Sequence, residues 1–158
     1  LAMANICETN LQIFFKTEDE AKTFESKLKP VIEKAQKKRE AVFLGSKTKY
    51  LNVYHWERNG PEIELYGEVR WSLPHSEALE WTQYLCSLAL IERMTIFYFE
   101  CGFQLLGQYE FENGQLTDVY IPDEFFPEYD DESGEYSQEL DEAIEEHGID
   151  VFVGEIAA

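Results

Sequence analysis

The chain has 158 residues, 44% hydrophobic and 15% aromatic, enough to bury one substantial core and too few for a second full domain. Its 13 Lys+Arg against 32 Asp+Glu leave a formal net charge of -19, which argues against direct nucleic-acid binding, because that requires cations to neutralise phosphates. Basic partners are favoured instead.

The charge is unevenly placed. All 13 Lys and Arg lie within residues 1–93, which are close to neutral, whereas residues 94–158 hold none and are strongly acidic. Leu1 and Ala2 precede Met3-Ala4-Asn5, which reads like a natural start, and they are set aside from the fold argument. No apolar run spans a bilayer and no basic-then-apolar signal segment opens the chain, so a soluble cytoplasmic protein is expected. Cys7, Cys86 and Cys101 lack CxxC spacing, so buried reduced thiols are expected rather than a disulfide framework or a zinc site.

In chain order, residues 5–16 have the β-branched and aromatic content of a strand. Thr17 followed by Glu18-Asp19-Glu20 predicts an N-cap with acids in the first helical turn. Ala21, Phe24, Leu28, Val31, Ile32 and Ala35 then recur at helical spacing up to Lys37-Lys38-Arg39, and Pro30 inside that run can kink it. Residues 50–57 and 63–71 alternate on either side of Arg58-Asn59-Gly60-Pro61, which predicts a hairpin. Ser72 to Pro74 opens a second helix whose Ala78, Leu79, Trp81, Tyr84, Leu85 and Leu88 form its apolar face. Residues 94–100 and 103–111 are aromatic-rich strands, and Asn113-Gly114 turns the chain into a strand over 116–121.

This order, β-α-β-β-α-β followed by two more strands, predicts an α+β fold. Specifically, it predicts a ferredoxin-like split β-α-β antiparallel sheet extended by a C-terminal β-meander. Residues 3–121 form that domain, and 122–158 form an acidic extension packed on it. Within the extension, 123–136 reads as a loop, Ser137 to His147 as a helix ended by Gly148, and 149–156 as a final strand.

The start Met3-Ala4-Asn5-Ile6-Cys7-Glu8-Thr9-Asn10-Leu11 carries a resemblance, as does the step Val69-Arg70-Trp71-Ser72-Leu73-Pro74 into the second helix. Tyr98-Phe99-Glu100-Cys101-Gly102-Phe103, followed by Gly107 and Asn113-Gly114, adds to it. Over residues 3–121 the chain resembles the YubB-like (Api-like) ferredoxin-like proteins of phages and plasmids. Ile6 stands where that family usually has Trp, and Leu73 where it has a first Pro. The resemblance implies a fold and a mobile-element origin, with no catalytic residues to carry over.

Chemistry is sparse. His55, His75 and His147 each have a structural explanation: a sheet position, a first helical turn and a helix C-terminus. No GxSxG, P-loop, HExxH or dinucleotide fingerprint occurs, so no catalytic residue, metal site or cofactor is assigned and the chain is read as non-enzymatic. Asp130 to Glu135 concentrates oxygen ligands, but aligning Gly134 with the loop glycine of an EF-hand puts Tyr129 at the first ligand position. That excludes the EF-hand and leaves only a weak, irregular calcium site as an alternative.

The acidic extension carries the functional expectation. On a helix over 137–147, Leu140, Ala143, Ile144 and His147 share one side, and Glu139, Asp141, Glu142, Glu145 and Glu146 share the other. Like charges then meet at i,i+3 and i,i+4, each at about 0.2–0.5 kcal/mol. Five carboxylates over a rise of about 10 Å give a mean interval of about 2.6 Å, the linear charge density of a nucleic acid. With Asp130, Asp131, Glu132 and Glu135 beside them, and Phe125, Phe126, Tyr129 and Tyr136 as anchors, the expected activity is nucleic-acid mimicry. The partner would be a basic nucleic-acid-handling host protein, such as a restriction or CRISPR nuclease. Two alternatives are a merely solubilising acidic tail and a small-ligand or enzymatic site on the sheet around Tyr54, Trp56, Tyr66 and Trp71.

Overall fold

A computed structural model of the chain describes residues 6–100, 105–120, 129–130, 132–133 and 135–136. Outside these lie the Met3–Asn5 start, Cys101, the Gly102-Phe103 step, the domain boundary near residue 121, the expected helix over 137–147 and the expected strand over 149–156.

The elements are β1 (Ile6–Phe14), α1 (Glu18–Lys37), β2 (Asn52–Asn59), β3 (Glu62–Arg70), α2 (His75–Leu88), β4 (Arg93–Glu100), β5 (Leu105–Glu112) and β6 (Gln115–Tyr120). Two short strands follow, β7 (Tyr129–Asp130) and β8 (Glu135–Tyr136). The first six strands form one antiparallel sheet in the order β2-β3-β1-β4-β5-β6, with β1 pairing both β3 and β4. The fold is α+β, as the element order predicts.

Local chemistry explains most boundaries. Thr17 Oγ1 accepts a hydrogen bond from the Glu20 amide at 3.2 Å, satisfying one of the donors a helix start leaves open. α1 runs through Pro30 to Lys37 and buries Ala21, Phe24, Leu28 and Ile32, with the Phe24 ring 5.0 Å from that of Phe15. β2 continues through Arg58 and Asn59, further than expected, and closes onto Glu62 across the two-residue loop Gly60-Pro61. The Asn113-Gly114 turn has φ of 54° and 77°, the left-handed pair a tight hairpin requires, and sets Glu112 opposite Gln115. α2 has no basic residue in its last turn. Lys27 of α1 supplies that charge instead, donating from Nζ to the Leu88 carbonyl at 2.7 Å.

Both helices cover one face of the sheet. Leu11, Ile13, Ile63, Leu65, Met94 and Ile96 meet Phe24, Leu28, Ile32, Trp81 and Leu85 there in a single core. The opposite face carries Asn10, Tyr66, Thr95, Phe97, Phe99 and Gln108, which are also buried, although neither helix lies over them.

Four sequence expectations are corrected. Leu79 points outward from α2 at 37% exposure, and Thr82 is buried in its place; its hydroxyl is satisfied by the Ala78 carbonyl at 2.8 Å, so burying it leaves no orphaned donor. Cys7 is fully buried, but Cys86 only partly so. The segment 123–136 contains the paired strands β7 and β8 rather than a plain loop. Finally, residues 50 and 51, expected to open the first hairpin strand, precede β2; Leu51 instead closes the otherwise unassigned residues 40–49 back on themselves through paired hydrogen bonds with Val42 at 2.7 and 3.0 Å. Ser46 Oγ accepts the amides of Thr48 and Lys49, and the Trp81 indole donates to the Lys49 carbonyl at 2.9 Å.

Candidate functional site

Strand alternation determines which carboxylates share a surface. Leu11, Ile13, Ile63 and Leu65 point into the core, so Glu8, Gln12, Glu62, Glu64 and Glu68 project from the face opposite the helices. Register then places Glu8 directly across from Glu68, and Glu57 across from Glu64. Like charges in directly opposed positions destabilise a sheet. Folding alone would not select these pairs.

The side chains around them are partly ordered. Tyr54 donates its hydroxyl to Glu8 Oε2 at 2.5 Å, Asn52 Nδ2 donates to Glu68 Oε1 at 3.2 Å, and the Tyr66 hydroxyl donates to Glu64 Oε2 at 2.5 Å. Gln12 Nε2 donates to Glu62. His55 stacks on Tyr66 with ring centroids 5.6 Å apart and lies 3.9 Å from Glu57. Burial raises the Glu8 carboxyl above the ordinary carboxylate value; the Tyr54 hydrogen bond opposes that shift, and the nearby Glu68 adds to it. Burial, and then the Glu8 carboxylate, push the Tyr54 phenol up.

An acid with a raised folded-state pKa stabilises the fold only while protonated. Its contribution is complete below the unfolded value and is lost as pH rises through the folded one. Glu8→Gln, which keeps an acceptor for Tyr54, is therefore expected to melt higher than the parent at pH 8. The advantage should shrink toward about pH 4, where the parent acid takes up its proton. Thermal melts across that range check this, and identical midpoints at pH 8 would refute it.

The residues singled out from the sequence are only partly placed. Backbone pairing sets Tyr129 opposite Tyr136 and Asp130 opposite Glu135, and Glu132 is exposed in the turn between the two strands. Phe125, Phe126, Asp131, Glu139, Asp141, Glu142, Glu145 and Glu146 lie outside the described residues, as does His147. His75 starts α2 and meets the Tyr109 ring edge-on at 5.9 Å. Among the described residues, no group of three or more His, Cys, Asp or Glu is arranged to hold a metal ion.

The aromatic alternative does not form one site. Trp56 packs against the helix-side core, Tyr54 and Tyr66 belong to the other face, and Trp71 is an exposed residue beyond β3. The sheet-face acids were not singled out from the sequence. Their signal was Glu62-x-Glu64 and Glu68, acids separated by even numbers of positions and so displayed on one side of a strand, but the partners Glu8 and Glu57 come from other strands. No described helix is long and apolar enough to cross a membrane. No family model, no curated protein and no solved structure matches this chain.

Proposed function

We propose that the chain is a non-enzymatic binding protein whose acidic surface occupies the nucleic-acid groove of a basic partner. Its scaffold would be a ferredoxin-like split β-α-β sheet with two strands added beyond β4. The observation that carries the reading is the pair of like-charge cross-strand contacts, Glu8 opposite Glu68 and Glu57 opposite Glu64, on the sheet face away from both helices. Such contacts cost stability, and a cationic partner would relieve them on binding. The absence of any Lys or Arg after residue 93 extends the same sign of potential through the remaining chain, favouring fast, salt-sensitive association with a Lys/Arg-lined cleft. The resemblance to phage and plasmid proteins directs the search toward restriction or CRISPR nucleases.

Capture from host lysate tests the reading when combined with competition. A nucleic-acid-binding protein should be retained by the immobilised chain at low salt and released by added duplex DNA. Glu57→Gln, Glu64→Gln and Glu68→Gln introduced together should weaken retention about tenfold, the loss of about 1.4 kcal/mol of electrostatic complementarity. A parallel triple change at Glu139, Glu142 and Glu146 measures the share of the C-terminal acids. Retention that ignores both triple variants and the competitor DNA would defeat the proposal.

A further inference from the structure

At the end of the sheet where β1 begins and β3 ends lies a cavity of about 470 Å³, bounded also by the C-terminus of α1 and the 38–51 segment. This size falls within the range of small-molecule sites. Arg39, Lys49 and Arg70 line it, together with Tyr50, Asn52 and Glu68. Three cations, two from the 38–51 segment and one from the end of β3, converge here in a chain of net charge -19. Ion pairs occupy Lys22, Lys29 and Arg58 elsewhere, whereas Arg39 and Arg70 have no carboxylate partner among the described residues.

Two backbone outliers mark the same place. α1 ends with the Glu40 amide bonded to the Ala35 carbonyl at 2.9 Å and the Arg39 amide to the Gln36 carbonyl at 3.1 Å. In that termination the residue at the Arg39 position is left-handed and is ordinarily glycine; Arg39 adopts φ 55°. Trp71 follows Arg70 with φ 68°, in a three-residue turn closed by the Ser72 amide on the Arg70 carbonyl at 3.0 Å, a strained conformation for a bulky side chain. The Arg70 carbonyl also accepts Lys49 Nζ at 2.6 Å, which fixes that ammonium at the cavity wall. Strain retained at Arg39, where glycine would avoid it, points toward a use for that cavity-lining side chain.

We infer that this cavity binds a small phosphorylated ligand with a planar body, of the mononucleotide class. Arg39 and Arg70 supply planar donor forks suited to phosphate oxygens, and Lys49 adds a point charge. Tyr50 supplies the stacking wall, and it is braced: its ring lies 5.6 Å from Phe43, which meets Tyr84 edge-on at 6.0 Å. Asn52 and Glu68, hydrogen-bonded to each other at 3.2 Å, offer a donor and an acceptor for sugar hydroxyls or a base edge. The cations close on one cavity instead of forming a row, which favours a small ligand over a strand of nucleic acid.

Titration calorimetry of the full chain with AMP, ADP and pyrophosphate, paired with thermal melts, tests this. At least one nucleotide should bind and raise the midpoint. Arg39→Gly should weaken it about tenfold while raising the midpoint of the ligand-free protein, because glycine relieves the backbone; a loss of binding through unfolding would move the midpoint the other way. Tyr50→Ala should remove the preference for nucleotide over pyrophosphate. The proposal is overturned if neither nucleotide binds, if Arg39→Gly binds as the parent does, if pyrophosphate matches the nucleotides in the parent, or if a short oligothymidylate binds more tightly than either nucleotide.

Discussion

Trp81→Ala is expected to lower stability by about 3–5 kcal/mol, the range that removing a large aromatic from a core costs. Trp81 is fully buried and is the largest side chain so enclosed among the described residues. Its indole also donates to the Lys49 carbonyl at 2.9 Å. The substitution would therefore open a void between α2 and the sheet and leave a backbone acceptor without its partner. Against the roughly 5–15 kcal/mol that holds a typical domain together, the loss is severe. Trp81→Phe should recover most of the packing but not the hydrogen bond, leaving a deficit of about 1–2 kcal/mol. Urea unfolding of the three proteins decides the matter: a loss below about 1.5 kcal/mol for the alanine variant would show that the core collapses into the gap.

Gly45→Ala should be nearly as damaging, by about 3 kcal/mol, for an unrelated reason. Gly45 holds φ at +102°, and an added Cβ would lie 2.7 Å from the Tyr84 Cβ and 2.8 Å from the Glu80 carbonyl oxygen. Both obstacles belong to the body of α2, so no flexible side-chain end can swing aside. Gly114→Ala is the matched control. Its φ is +77° but nothing lies within 4 Å of the position a Cβ would take, so only the left-handed backbone term of about 1 kcal/mol applies. Equal melting-point losses for the two variants would show that contact with α2 plays no part.

Much of the sheet was legible in the sequence because its signals are local. Thr17 caps α1 with its own hydroxyl, Asn113-Gly114 carries the dihedrals of its turn, and alternation marks β2 and β3 without reference to anything distant. Residues 40–49 were not legible. Their order comes from Ser46 gathering nearby amides and from an indole 32 positions away in the chain, so no period announces them; Lys49 was missed with them, and the sequence marked Arg39 only as a helix-end charge and Tyr50 only as a strand residue, not as walls of one cavity. The outward turn of Leu79 was hidden for a related reason: hydropathy ranks Leu above Thr, but Thr82 can satisfy its hydroxyl on its own helix. The acidic character of the chain was plain from composition. The opposition of Glu8 to Glu68 required the pairing register, which couples residues far apart in sequence.

The pairing of β2 with β3 slips between Val53 and His55, and β2 forms one border of the six-stranded sheet. An even border would offer a neighbouring molecule an unbroken run of amides and carbonyls, the template for fibril-like growth. Here the slip interrupts that run and increases the local twist, so an incoming strand could not stay in step along it. Crowded copies of this protein are thereby discouraged from zipping together along β2, whatever their side chains attract.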